Sequence, residues 1–412
     1  MEVSVIVIGD ELLIGQVIDT NSGWIARNLH PLGWSIKSVR VVGDNADDML
    51  TAIDQAFSQT DIVLTTGGIG PTKDDITKAT LCKYFGGEMV LDEQTLENVK
   101  NVVAERHLTM NPLNEAQAIV PTSCRVIQNK VGTAPIMWFE KEGKVLVSMP
   151  GVPFETETMM KLEVIPQLLS HFSSNEFIEH RTLVVIGYAE SALAIKLEQF
   201  ENEMPSYIHL AYLPKPGIIR LRLTGVCDDP LKIKSDMDLL CTKLDEILGS
   251  AIICHEDKPL SAILGEFLRT KGLTLSTAES CTGGNIAHLI TEVAGSSDYF
   301  CGAVVSYANS VKQNVLNVSP DDLNNHGAVS EPVVFQMVKG VSELMGTDCA
   351  IATSGIAGPS GGTKTKPVGT VWIAVKCGDK IETSCKHFAG TRERVVDRAS
   401  TEAMIMLLNQ II

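Results

Sequence analysis

The residues best suited to covalent chemistry lie in one short run, Ala278-Glu279-Ser280-Cys281-Thr282-Gly283-Gly284. A hydroxyl, a thiol and a second hydroxyl stand in a row before two glycines. A serine becomes a nucleophile only when a base takes its proton. Lys312 together with Tyr307 can fill that role, as in Ser–Lys arrangements, and spacing alone does not say which of the two is the base. Such a lysine must be neutral part of the time, so partial burial should lower its pKa. His326 is a rival base and Cys281 a rival nucleophile. Each has a plain structural reading beside the chemical one. Ser and Thr cap helices, lysines are mostly solvated, and a free cysteine is commonly a small buried hydrophobe.

The elements around this run place it on a turn. Leu273-Thr274-Leu275-Ser276-Thr277 alternates apolar and polar, which predicts a strand. Ile286, Leu289, Ile290 and Val293 recur at helical spacing after it. Ser280 is therefore expected on a strand-to-helix junction near the positive end of a helix, where backbone N–H groups of residues 281–283 can hold an oxyanion and the helix end a phosphate. Gly302 to Tyr307 predicts a strand and Val311, Val315 and Leu316 a helix, so Lys312 falls about one turn beyond Tyr307. Asp348 to Thr353 predicts another strand, running into the glycine-rich loop Ser354-Gly355-Ile356-Ala357-Gly358-Pro359-Ser360-Gly361-Gly362. The helix from Arg392 closes the chain.

A second set of candidates opens the chain. Val3 to Ile8 is a near-continuous β-branched run, typical of a buried strand. It ends at Gly9-Asp10-Glu11, and Asn21-Ser22 opens a helix with Trp24, Ile25 and Leu29 on one face. Asp61 to Thr66 runs into Gly67-Gly68-Ile69-Gly70-Pro71-Thr72-Lys73-Asp74-Asp75. The β-α-β-α-β alternation predicts a mainly parallel sheet with helices on both faces and a ligand site at the strands' carboxyl ends. The glycine loop bares N–H groups that suit a phosphate. Asp74 and Asp75, read as the first turn of the next helix, can cap it or hold Mg²⁺ against phosphate oxygens, with Asp10 and Glu11 near.

Composition narrows the classes. A 412-residue chain of 44% hydrophobic residues is globular and long enough for two or three domains. A net charge of −16 argues against gripping a nucleic-acid backbone. No basic segment leads into a long apolar run, so neither a signal peptide nor a membrane span is expected, and the protein reads as cytoplasmic. The ten cysteines are scattered without paired C-x-x-C spacing and read as reduced thiols. The nine histidines show no ligand spacing.

GDELLIGQVIDTNS, TTGGIGPTKDD and MPGVPFE resemble the molybdopterin-binding-like domain that opens proteins of the competence/damage-inducible protein A (CinA) family. The likeness covers about residues 1–170. It implies a metal-dependent ADP-ribose pyrophosphatase, with Gly67, Gly68, Gly70, Thr72, Asp74 and Asp75 in ligand and metal binding and Asp10, Glu11 and Asn21 close by. Residues 171–251 resemble the family's KH-like α+β module. They lack the G-x-x-G loop that clamps nucleic acid, so a spacer or homodimer-forming role is expected. AESCTGG, GAVVSYANSVK, HGAVSEP, TSGIAGPSGG and KPVGTVW are similar to the C-terminal CinA domain over about residues 255–410, in a domain expected to span 252–412. That resemblance implies an α/β three-layer amidase that converts nicotinamide mononucleotide (NMN) to nicotinate mononucleotide without a cofactor. Ser280 would be its nucleophile and Tyr307 and Lys312 the activating partners. Cys281, Thr282, Gly283, Gly284, Asn309, Ser354, Gly355 and Gly358 would surround the nucleotide. Arg392 would join them, in Gly390-Thr391-Arg392, where relatives carry Gly-Asp-Arg. The alternatives are a competence or DNA-damage accessory protein with relic pockets, and an amidase whose first domain senses a pterin or nucleotide.

Overall fold

The computed structural model describes residues 1–72, 75–172 and 177–412. The chain forms two compact units. One comprises Met1–Glu179 with Gly225–Ser235, the other His180–Thr224 with Asp236–Ile412.

The first unit is built on a six-stranded sheet. Its strands are β1 (Glu2–Ile8), β2 (Ser35–Val42), β3 (Ile62–Thr66), β4 (Cys124–Ile127), β5 (Ile136–Lys141) and β6 (Lys144–Met149), in the order β2-β1-β3-β6-β5-β4. The four strands from β2 to β6 are parallel, and β5 and β4 run antiparallel to their neighbours. Both faces of β1 are buried, which is why it reads as an unbroken apolar run. Val3, Val5 and Val7 join Trp24, Ile25 and Leu29 of helix α1 (Asn21–Leu29) in one core. Ile6 and Ile8 join Met49 and Ile53 of helix α2 (Ala46–Phe57) in the other. Helix α3 (Thr77–Phe85) follows the glycine loop and helix α4 (Pro153–Met159) follows β6.

The middle of the chain adds strands β7 (Phe177–Ile186), β8 (Ile208–Lys215), β9 (Ile218–Cys227) and β10 (Ile252–Cys254), ordered β8-β9-β7-β10. Helix α5 (Glu190–Asn202) lies between β7 and β8, and helix α6 (Pro230–Leu248) after β9. Val184, Ile186, Ile218 and Ile253 share one hydrophobic core with the C-terminal residues Leu260, Ile263 and Ile405. Arg220 Nε also reaches Asp257 Oδ1 at 2.7 Å. The second unit is therefore continuous from the middle strands into the C-terminal sheet.

That last sheet holds β11 (Leu275–Glu279), β12 (Phe300–Val305), β13 (Cys349–Gly355), β14 (Thr370–Cys377) and β15 (Lys380–His387), in the order β12-β11-β13-β14-β15. The first three are mutually parallel and the last two antiparallel. Helices α7 (Leu260–Lys271), α8 (Asn285–Thr291) and α11 (Arg392–Ile411) contribute to a core with the large side chains Leu275, Ile351 and Ile373. On the other face the sheet offers Ala278, Ala350, Ala352 and Ala374 to helix α10 (Glu331–Met345), through Val334, Met337 and Val341. Small sheet residues let that helix come close. Helix α9 (Asn309–Leu316), which carries Lys312, packs on α10. All ten thiols are free. Among the described residues no helix is long and apolar enough to cross a membrane.

The approach of α9 to α10 depends on Gly340, where an added Cβ would collide with the backbone carbonyl of Leu316. A backbone obstacle cannot rotate away, so Gly340→Ala should lower unfolding stability by about 1–3 kcal/mol. Denaturant titration checks this. Gly23→Ala is the comparison, because that position is also helical and only the flexible end of Arg27 lies near it.

Candidate functional sites

Register sets the C-terminal site. Glu279 at the end of β11 pairs with Val305 of β12 and Thr353 of β13. The next residues, Ser280, Ser306 and Ser354, therefore stand at one level, Ser354 still paired with Trp372 of β14. Ser280 N donates to Thr353 O at 3.0 Å, and the Thr282 and Thr353 hydroxyls meet at 2.7 Å. The chain then turns through Gly283 (φ 63°) and Gly284 (φ 101°), a left-handed path that favours glycine. Gly283 N is satisfied by Ser280 O. The N–H groups of Cys281 and Thr282 have no partner among the described residues, which leaves these two for an oxyanion.

The N-terminus of α8 is not free for a phosphate, contrary to expectation. The buried Glu279 carboxylate folds back onto it. Its Oε2 accepts from Gly284 N and Ile286 N, each at 3.0 Å, and its Oε1 accepts from Ala287 N at 2.8 Å. An anion at a helix start is favourable, and here the chain supplies it. Sequence reasoning passed over Glu279, although an acid closing a buried strand just before a helix carries that signal.

Lys312 is 1% exposed. Its Nζ stands 3.0 Å from Ser280 Oγ, 2.5 Å from Ser306 O and 3.4 Å from Tyr307 O. Burial lowers its pKa from the ordinary 10.5, and no carboxylate is paired with it among the described residues. The two carbonyls and the hydroxyl are its three hydrogen-bond partners, and in the neutral amine the lone pair can face the hydroxyl. Cys281 is buried and its thiol is pushed up to about 12 by desolvation, which makes it a poor nucleophile.

Ser280 and Cys281 open on a cavity of about 270 Å³, walled by Tyr307, Gly355, Gly358, Gly361 and Arg392. Arg392 begins α11 and donates to Tyr307 Oη at 3.0 Å and to Gly358 O at 2.9 Å. Thr391 caps that helix by accepting from Arg394 N. Lys312 meets the Tyr307 carbonyl, while the Tyr307 phenol is engaged by Arg392. Several predicted residues stand off the cavity wall. Thr282, bonded to Thr353, and Gly283 and Gly284, which make the turn, do not line it. Asn309 is exposed at the start of α9. The Ser354 hydroxyl is buried and donates to Ala328 O at 2.7 Å. The rival base His326 lies at the end of a short helix, its Nε2 3.8 Å from Asp322.

In the N-terminal unit, β1, β2, β3 and β6 end together around a cavity of about 420 Å³. Gly9, Glu11, Asp44, Gly67, Gly68, Gly70 and Asp75 line it. Gly67 has no room for a side chain, because a Cβ would collide with Ile8 O. Asp10 and Asp44 bond reciprocally, each backbone N–H donating to the other's carboxylate at 3.2 Å. Asp44 is raised above its ordinary pKa by desolvation and by the charges of Asp10, Glu11 and Asp75. Asp75 precedes α3 rather than opening it. Its Oδ2 accepts from Thr72 N at 2.9 Å and from the Thr72 hydroxyl. Asp74 lies outside the described residues. Asn21 is buried and ties strand ends together, donating to Thr66 Oγ1 at 2.8 Å and Gly151 O at 2.9 Å. Sequence reasoning did not single out Asp44, Gln117 or Glu155, which also line the cavity. Among the described residues no three acids, histidines or cysteines form a ready-made metal site. The oxygen-only acids fit a hard cation that takes its remaining ligands from a phosphate or water.

Comparison with known proteins covers nearly the whole chain. Residues 4–170 match the family described as "Probable molybdopterin binding domain", 180–253 "Damage-inducible protein CinA KH domain" and 257–411 "CinA C-terminal domain". A CinA-like protein of Flavobacterium psychrophilum is 41% identical over 100% of this chain and 99% of its own. One from Cytophaga hutchinsonii is 40% identical over 98% of this chain and 97% of its own. A solved CinA superfamily protein from Klebsiella pneumoniae is 41% identical, spans 37% of this chain and 95% of its own, and aligns with a TM-score of 0.36. With relatives this similar from end to end, the chain belongs to the CinA family.

Proposed function

We propose that the C-terminal domain is a serine amidase that deamidates nicotinamide mononucleotide. The observation that carries this reading is the buried, carboxylate-free amine of Lys312 at 3.0 Å from Ser280 Oγ. The Lys312 lone pair takes the Ser280 proton as Oγ attacks the carboxamide carbon. The resulting oxyanion sits against the N–H groups of Cys281 and Thr282. Lys312 passes its proton to the amide nitrogen, the C–N bond breaks and ammonia leaves. Water then attacks the acyl-serine and gives its proton to the same amine. The acid is released and Ser280 takes the proton back. Arg392 supplies the positive charge for the substrate phosphate, and the Tyr307 phenol holds the guanidinium.

Ser280→Ala should reduce ammonia release from NMN by more than about 10³-fold. Lys312→Met should cost more than about 10²-fold. Full activity in either variant, measured by coupled ammonia assay, rejects the dyad.

The Lys312 shift also fixes a pH dependence. The amine must be neutral to act, so kcat/KM should rise with pH through an ionisation below 10.5. Stability moves the same way. Between the lowered folded pKa and the ordinary value, the unfolded chain holds more protons. Wild type should therefore gain stability relative to Lys312→Met as pH rises across that interval. A flat difference in denaturation midpoints would contradict it.

A second activity is favoured by the N-terminal cavity, where a glycine loop and four acids share the strand ends. There we infer hydrolysis of ADP-ribose to AMP and ribose 5-phosphate. A divalent cation bound by Asp75 and its neighbours supplies charge neutralisation on the pyrophosphate. The N–H groups of residues 68–70 face the same oxygens, that of Gly67 being bonded to Met149 O, and burial with the charges of Asp10, Glu11 and Asp75 raises Asp44 above its ordinary pKa. Chelation with EDTA should abolish AMP release while ammonia release from NMN continues. Loss of both, or of neither, counts against two independent sites.

A further inference from the structure

The pyrophosphatase reading leaves one carboxylate of the N-terminal cavity unused. Glu155, in the first turn of α4, lines the cavity. Its Oε2 accepts from Asn129 Nδ2 at 2.8 Å. Asn129 is fully buried. The same Nδ2 donates to Ala134 O at 3.0 Å, and its Oδ1 accepts from Val131 N at 3.1 Å. A side chain anchored at both ends has no freedom to swing, so Glu155 is held in place. Gly132 clears the space, because a Cβ there would overlap the carboxylate. Glu155 Oε1 has no hydrogen-bond partner among the described residues.

Glu155 is also bonded apart from the other acids. Asp10 and Asp44 are tied to each other and Asp75 to Thr72, whereas Glu155 is tied to Asn129. A bare carboxylate repels a phosphate and suits neutral hydrogen-bond donors instead. In nucleotide folds an Asp or Glu commonly meets the hydroxyls of the ribose beside the phosphate. A second observation points to a ligand in the same cavity. Gln117 lines it and is 1% exposed, yet neither its side-chain oxygen nor its nitrogen has a partner among the described residues. A buried amide left unpaired is costly, and a polar ligand group is one remedy.

We propose that Glu155, positioned by Asn129, reads the hydroxyls of a pentose that carries a phosphate, so that the N-terminal cavity selects ribosyl phosphates over deoxy sugars. The assignment rests on the reading of this cavity as a phosphate-ligand site. Calorimetric titration of the full chain with ribose 5-phosphate, 2-deoxyribose 5-phosphate and inorganic phosphate tests it. The C-terminal cavity is the same in every variant, so a change between variants reports on the N-terminal one. Wild type should prefer the ribose form by roughly tenfold, the worth of a hydrogen bond to a charged group. Glu155→Gln should bring that ratio close to one and leave inorganic phosphate binding no weaker. Glu155→Ala, with its melting curve as the check on folding, should do the same. A preference that survives in both variants, or phosphate binding lost in parallel, overturns the role of Glu155 alone. Failure of wild type to bind any of the three overturns the phosphate reading, and the proposal with it.

Discussion

The C-terminal site depends on keeping two ionisable groups from neutralising each other. Glu279 and Lys312 both attend the turn that holds Ser280, and both are buried. Had they paired, the amine would stay protonated and could not accept a proton. The backbone prevents this. Three N–H groups of the α8 start hold the carboxylate, and the carbonyls of Ser306 and Tyr307 hold the amine. Each group is thus satisfied by peptide dipoles, and the cost of burying the amine appears as a lowered pKa.

That separation follows from strand register. Parallel strands end on the same side of a sheet, so residues distant in sequence arrive side by side. In the C-terminal sheet this gathers Ser280, the Ser306 carbonyl and the loop after Gly355. The N-terminal sheet repeats the device. Ile8 pairs with Val42, Val7 with Thr66, and Thr66 with Met149. The residues just beyond, Gly9, Asp44, Gly67 and Pro150, therefore line one cavity. The plan fixes positions and leaves the loop residues to supply the groups.

Most of the architecture was legible in the sequence. Buried parallel strands betray themselves by unbroken β-branched runs such as Val3 to Ile8, and the Ser280 turn by its two glycines between a strand and a helix pattern. The Ser280–Lys312 meeting was also within reach, since a lysine one turn into the helix after a neighbouring strand lands at that strand's end. What escaped was set by side-chain direction. Glu279 bends back onto the helix it precedes, so the helix end read as a phosphate site is taken. Ser354 turns its hydroxyl into the core toward Ala328, and Asn309 points to solvent. Asp75 folds onto Thr72 instead of opening α3. Spacing fixes which residues share an end of a sheet, but hydrogen-bond competition among them decides which face the cavity.

On the proposed reading, the occupied helix end constrains how a mononucleotide lies in the C-terminal cavity. Its phosphate needs positive charge, and the α8 dipole is already spent on Glu279. Lys312 cannot serve, because it must be neutral to act as base and its three contacts are filled by Ser280 and two carbonyls. Arg392 is then the cationic group on the cavity wall. Its guanidinium uses two N–H bonds on Tyr307 and Gly358 and keeps others free, which suits a phosphate. On this reading Tyr307 has a divided part: its carbonyl steadies the base while its phenol aims the arginine. The carboxamide end then falls to Ser280 and the phosphate end to Arg392. On the proposed reading the selectivity of the site comes from that polarity, with an amine for the reacting group and a fixed cation for the anchor.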